Sequence, residues 1–187
     1  MSHHITFPGY TIESNHAKLV VNMPWELRQA LLFVHIVLAI IWVGGILFIG
    51  WGAFPAVRKM TFVRQRDVLQ ALMQWSHKFL TGSGVGVIMS GILLGTVFGP
   101  IDQWRNLWKT RYGHIWLAAL IIGAVTLLWG LFIGYRQSLK VLAHVELWQQ
   151  ADSGDKKPLL NDLTKVALFE SVEVIGFMAL IVLMVLF

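Results

Sequence analysis

Five side chains in this sequence combine an ionisable group with an apolar setting, and their spacing points to two kinds of chemistry. His35 opens the segment HIVLAIIWVG and His114 opens HIWLAALIIG; the two agree at the histidine, an isoleucine, a leucine, an alanine and the closing glycine. Imidazole is a common axial ligand of haem iron, and two of them on different helices can clamp a b-type haem. Trp42 follows His35 by two helical turns on the same face, where its ring packs either on a porphyrin edge or in a core. The second kind is acid–base chemistry. Glu170 and Glu173, three apart in FESVEVIG, share one helix face. Carboxyl groups inside an apolar segment are costly and usually functional. His77 and Lys78 enter another apolar run from the same side, so the pair is expected to meet one of them. A proton path, a cation site, a network with haem propionates and a plain ion pair between helices all fit that spacing. His77 is also a further candidate metal ligand.

Such groups need a scaffold, and the composition says which. Of 187 residues, 56% are hydrophobic and 13% charged, against about 25% charged in soluble domains. Apolar runs over about 31–56, 79–98, 113–135 and 166–187 each approach or exceed the roughly 20 residues that cross a ~30 Å hydrocarbon core. The expected fold is all-α: an integral membrane four-helix bundle over residues 25–187, built as a duplicated helical hairpin, behind a polar outer tail over 1–24. That tail lacks the apolar stretch of a signal peptide. Ten of the fifteen Lys and Arg residues fall on the side holding the first and third connections, including Arg58, Lys59, Arg136, Lys140 and Lys156. This bias predicts that side to be cytoplasmic, with both termini outside a cell membrane. His35 lies roughly 35 Å of helix from Arg58, and His114 roughly 33 Å from Arg136. Both histidines are therefore expected at one depth, near the outer edge of the hydrocarbon.

The remaining segments are read more simply. TGSGVGVIMSGILLGTVFG carries glycines at four-residue spacing, which marks close helix packing or a slot for a flat cofactor. KMTFVRQRDVLQALMQWSH is either a surface helix or an extension of the second span. QSLKVLAHVELWQQ continues the third span as helix, with His144 solvated, and ADSGDKKP is a linker. The chain has no cysteine, which excludes disulfides, thiolate metal sites and iron–sulfur clusters. Basic stretches interleaved with aromatics are absent, so no nucleic acid is expected. MSHH places a histidine third from the amino terminus, an arrangement suited to divalent copper.

LLFVHIVLAIIWVGGILFIG, followed by a basic loop and a glycine-rich second span, resembles the CopD-type copper-resistance membrane domain. The same outline, H-x6-W-x-GG, is similar to the HemJ-type protoporphyrinogen oxidase membrane proteins, which are associated with haem b. The resemblance covers the four-span core. It implies a small helical bundle and either copper or haem as the bound group. The sequence departs from the HemJ pattern at RYGHIWLAA, where His114 stands in place of a lysine, and it lacks the methionine or cysteine clusters that suit monovalent copper. The leading expectation is a cytochrome b-like protein with haem b between His35 and His114. It would carry electrons between quinone or a membrane redox partner protein and an extracytoplasmic partner. Copper transport is the alternative. A third possibility is an accessory subunit of a larger complex or a homo-oligomer.

Overall fold

All four apolar runs fold as helices that begin earlier than hydropathy alone predicts; the first and third also end later, while the second and fourth end two residues sooner. The computed structural model describes residues 25–101 and 103–186, so the tail over 1–24 and its histidines lie outside the described residues. Helix α1 (Trp25–Phe48) continues through a π-helical turn (Ile49–Ala53) into α2 (Phe54–Val57). Pro55 sits in the first turn of α2, where its missing N–H costs little. Helix α3 (Phe62–Thr96) forms the second span, and short α4 (Trp104–Lys109) lies in the connection that follows. Helix α5 (Arg111–Trp129), a second π-helical turn (Gly130–Gly134) and α6 (Tyr135–Ala143) form the third span. Helix α7 (Val145–Asp152) leads to α8 (Lys157–Val185), the fourth. No strand occurs among the described residues, and four helical units are long and apolar enough to cross a membrane.

The segment before the second span is an extension, not a separate surface helix. Helix α3 has 35 residues, or about 52 Å at 1.5 Å per residue, well beyond a ~30 Å hydrocarbon core. Its first turns therefore project past the membrane at the end that carries most of the basic residues, called here the basic end. Thr61 does not cap it. The Asp152 carboxylate does so from α7, accepting from Phe62 N at 2.7 Å and Val63 N at 3.0 Å, where its charge also suits the helix dipole.

The third span stops at His144, whose backbone leaves the helix at φ −82° and ψ 79°. Three carbonyls at this helix end each accept from a side-chain donor. Lys140 O accepts from His144 Nδ1 at 2.7 Å, Val141 O from Trp148 Nε1 at 3.0 Å, and Leu142 O from Arg66 Nε at 2.7 Å. Trp148 is thereby drawn into a cluster with Leu69, Val141, Leu142, Ala151 and Leu159, all buried, at the basic end.

Toward the other end the glycines of α3 receive side chains from two neighbours. Leu38 fills the space over Gly86, His35 that over Gly91, and Trp116 that over Gly95, with Trp116 Nε1 donating to Gly91 O at 3.1 Å. The glycine face is thus a packing surface, and its slots are occupied by protein. Near mid-span, Trp42 lies on Gly84 and meets Phe177 edge-on at 5.1 Å between ring centroids.

Replacing Trp148 by alanine removes a fully buried ring together with the donor to Val141 O; a loss of about 3–5 kcal/mol is expected. Asp152→Ala should cost about 1 kcal/mol through the lost cap. Denaturant or thermal unfolding of the detergent-solubilised protein measures both.

Candidate functional site

Between the Trp42–Phe177 contact and the cluster around Trp148, the helices separate around a chamber of about 750 Å³. Trp42 closes it toward mid-span, and Leu69, Val141 and Leu142 form its floor. Both π-helical turns line it, through Ile49, Gly50 and Trp51 on one side and Gly130 and Leu131 on the other. A π-turn widens a helix by one residue and recurs at binding sites. The first and fourth spans meet at Trp42 and Phe177, and below that contact Trp51 and Ile175 line the chamber while remaining 68% and 67% exposed. The chamber therefore opens sideways, toward lipid, between those two spans.

Its walls are mostly aliphatic, with a few polar groups converging from three helices. His77 of α3 stacks on Tyr135 of α6, ring centroids 3.5 Å apart and planes 6° from parallel. Glu170 and Glu173 enter from α8. Ser138 Oγ of α6 donates to Glu170 Oε1 at 3.1 Å. Glu173, three residues on along the same face of α8, is buried beside it against the same π-turn.

Glycine makes this possible. A Cβ at Gly130 would lie 2.5 Å from Glu173 Oε1, and one at Gly134 would lie 3.1 Å from Glu170 Oε1. The carboxyl pair rests against the bare backbone of the π-turn, on a face where any larger residue would displace it. Neither glutamate forms an ion pair among the described residues, and Lys78 is exposed. The expected meeting with His77 or Lys78 takes another form: His77 shares the chamber with the pair, while Ser138 makes the direct bond. Ser138, Tyr135 and the two glycines escaped the sequence reading. The match between the four-residue step from Gly130 to Gly134 and the Glu170–Glu173 step was the available signal.

The two repeat histidines lie outside the chamber, and each ring has its own partner. His35 is buried between α1 and α3, with Nδ1 2.8 Å from Ser90 Oγ. Ser90 has one hydroxyl proton, with Gly86 O at 2.6 Å and Val87 O at 3.1 Å in reach. With that proton on Gly86 O, Nδ1 donates to Ser90 and Nε2 carries the lone pair; with it on Nδ1, the ring proton sits on Nε2. His114 is exposed, and its Nε2 donates to Trp108 O at 2.9 Å. Trp42, the proposed porphyrin neighbour, belongs to the chamber ceiling instead. No group of three or more histidine, aspartate or glutamate side chains among the described residues is placed to hold a metal ion. His144 is exposed and spent on its own helix end.

Comparison with protein-family models, curated proteins and solved structures yields no match for this chain. The fold and site define a four-span, all-helical membrane protein with a laterally open chamber and an internal carboxyl pair.

Gly130→Ala forces the carboxyl pair off the π-turn and should cost about 1–3 kcal/mol, as overpacking does elsewhere. Gly123→Ala on the same span is the control, because its Cβ meets nothing nearer than Leu180 Cδ2 at 3.9 Å. Thermal unfolding in detergent separates the two.

Proposed function

We propose that this protein takes a flat, bilayer-dissolved molecule of the quinone class into the chamber and exchanges protons with its oxygen atoms. The observation that carries this reading is the convergence of His77, Tyr135, Glu170 and Glu173 on an otherwise apolar chamber that opens toward lipid. Ligand sites combine apolar walls with a few placed polar groups in this way. A carbonyl oxygen of the ring accepts a hydrogen bond from the protonated member of the glutamate pair. The His77–Tyr135 stack offers a second polar edge beside a flat surface. Full reduction of a quinone consumes two electrons and two protons. The protons pass through these side chains, and the electrons come from a redox partner. With the basic end in the cytoplasm, as the charge bias predicts, the chamber lies in the cytoplasmic half of a cell membrane.

A haem b reading keeps one supporting observation, the buried bond between His35 Nδ1 and Ser90 Oγ. With the Ser90 hydroxyl on Gly86 O, Nδ1–H is anchored and Nε2 carries the lone pair, the arrangement by which a second partner orients an imidazole ligand. His114 supplies no matching atom while its Nε2 proton is bonded to Trp108 O. Such a haem would serve as the electron partner of the chamber. The CopD-like and HemJ-like resemblance and the copper alternative rest on sequence motifs alone.

Titrating a short-chain quinone into the protein in lipid nanodiscs tests the main reading, because Trp42 and Trp51 line the chamber and report by fluorescence. Saturable quenching is expected. It should vanish in Gly50→Phe, which adds bulk where a Cβ meets nothing within 4 Å. It should weaken roughly tenfold in Glu173→Gln, about 1.4 kcal/mol. Quenching that never saturates, or that ignores both substitutions, overturns the reading. For haem, the purified protein should show a b-type band lost in His35→Ala; a colourless preparation ends that proposal.

A further inference from the structure

A second, smaller cavity of about 230 Å³ lies across the α6–α8 seam from the chamber. Its rim is polar: Gln137 and Lys140 come from α6, Asp162 and Lys165 from α8. Lys165 Nζ sits 2.8 Å from Asp162 Oδ1 with 68% of its side chain exposed, so this notch reaches solvent at the basic end. Two residues line both cavities, Val141 of α6 and Val166 of α8.

The same seam carries the Ser138–Glu170 hydrogen bond on its chamber side. Glu170 lies one helical turn beyond Val166, and Ser138 one turn before Val141. A septum one valine pair thick therefore separates a water-facing notch from the carboxyl pair. The chamber's sideways opening faces lipid, and exposed Arg58, Leu160 and Thr164 line its basic end. The carboxyl of Glu170 is met by Ser138 from α6, with Glu173 of its own helix, His77 of α3 and Arg58 in the same chamber.

We propose that the α6–α8 notch is the proton entrance of the chamber, with water from the basic end reaching Glu170 across the Val141–Val166 septum. This rests on the proton-exchanging role proposed for the carboxyl pair and adds the route by which it is resupplied. A proton leaves notch water for Glu170 as protonated Glu173 gives its proton to the chamber's occupant, and transfer from Glu170 to Glu173 returns the pair to its starting state. Rotation of either valine side chain opens the septum between notch and chamber.

The test needs no quinone. The protein in sealed vesicles is treated with a water-soluble carbodiimide plus a charged amine, and labelling at Glu170 is read by mass spectrometry. The chain has no cysteine, so Lys156→Cys reports which side the basic end faces. Labelling of Glu170 is expected from that side, to rise in Val166→Ala and to be lost in Val166→Phe. A membrane-permeant carbodiimide, arriving through the lipid-facing mouth, should label both variants as it labels the parent, showing that the Phe variant is folded. Two results would overturn the proposal: labelling from the basic side that survives Val166→Phe and Val141→Phe, or equal labelling from the opposite side. Loss of the entrance with saturable quinone binding intact refutes the route alone; a valine-dependent entrance without quinone binding refutes the ligand alone.

Discussion

The arrangement of the bundle depends on one aromatic side chain at its middle. Trp42 leaves the first span, lies over Gly84 of the second and presents its ring to Phe177 of the fourth, and all three are deeply buried. Inside a bilayer, burying an indole gains little from leaving water, because lipid tails are as apolar as the core. What counts is fit: close dispersion contacts and room for the ring. Gly84 supplies that room, since a Cβ there would lie 2.9 Å from the indole. Trp42 ties the first span to the fourth at a single level, and below that level the two spans are free to diverge.

The two halves of the bundle use small residues for opposite ends. Away from the basic end, glycines on α3 let Leu38, His35 and Trp116 come close, and the helices pack without a gap. In the basic half, Gly130 and Gly134 admit polar side chains instead. The energetic problem there is to keep two carboxyls away from water without a cation. A serine donor and the bare backbone of the π-turn meet them there. Packing and chemistry are thereby kept apart along the membrane normal.

Much of the scaffold was legible in the sequence. Four apolar runs and the depletion of charge specify the all-helical membrane bundle, and hydropathy misplaces only the ends, as in α3, where amphipathic turns extend the helix without being apolar. The first and third spans share more than the histidine motif, since each carries a π-turn, starting fourteen residues after His35 and sixteen after His114. The histidines themselves show where local pattern stops informing. Identical letters do not set a ring's surroundings, because the partner of each ring comes from elsewhere: Ser90 on a neighbouring helix for one, a carbonyl of the preceding connection for the other. The glutamates were legible as functional candidates because a carboxyl in an apolar span is rare. Their partners were not, since the π-turn that brings Ser138 and Gly130 to them breaks the regular 3.6-residue count.

A chamber whose mouth lies between two membrane helices draws its occupants from a two-dimensional solvent. What governs its filling is then the mole fraction of the occupant among the surrounding lipids, not its molarity in the aqueous phase. Each additional methylene that deepens partition by about 0.8 kcal/mol raises that mole fraction without touching the protein. A site of modest intrinsic affinity can therefore stay saturated, and selectivity falls to the polar head of the molecule while its tail merely secures delivery.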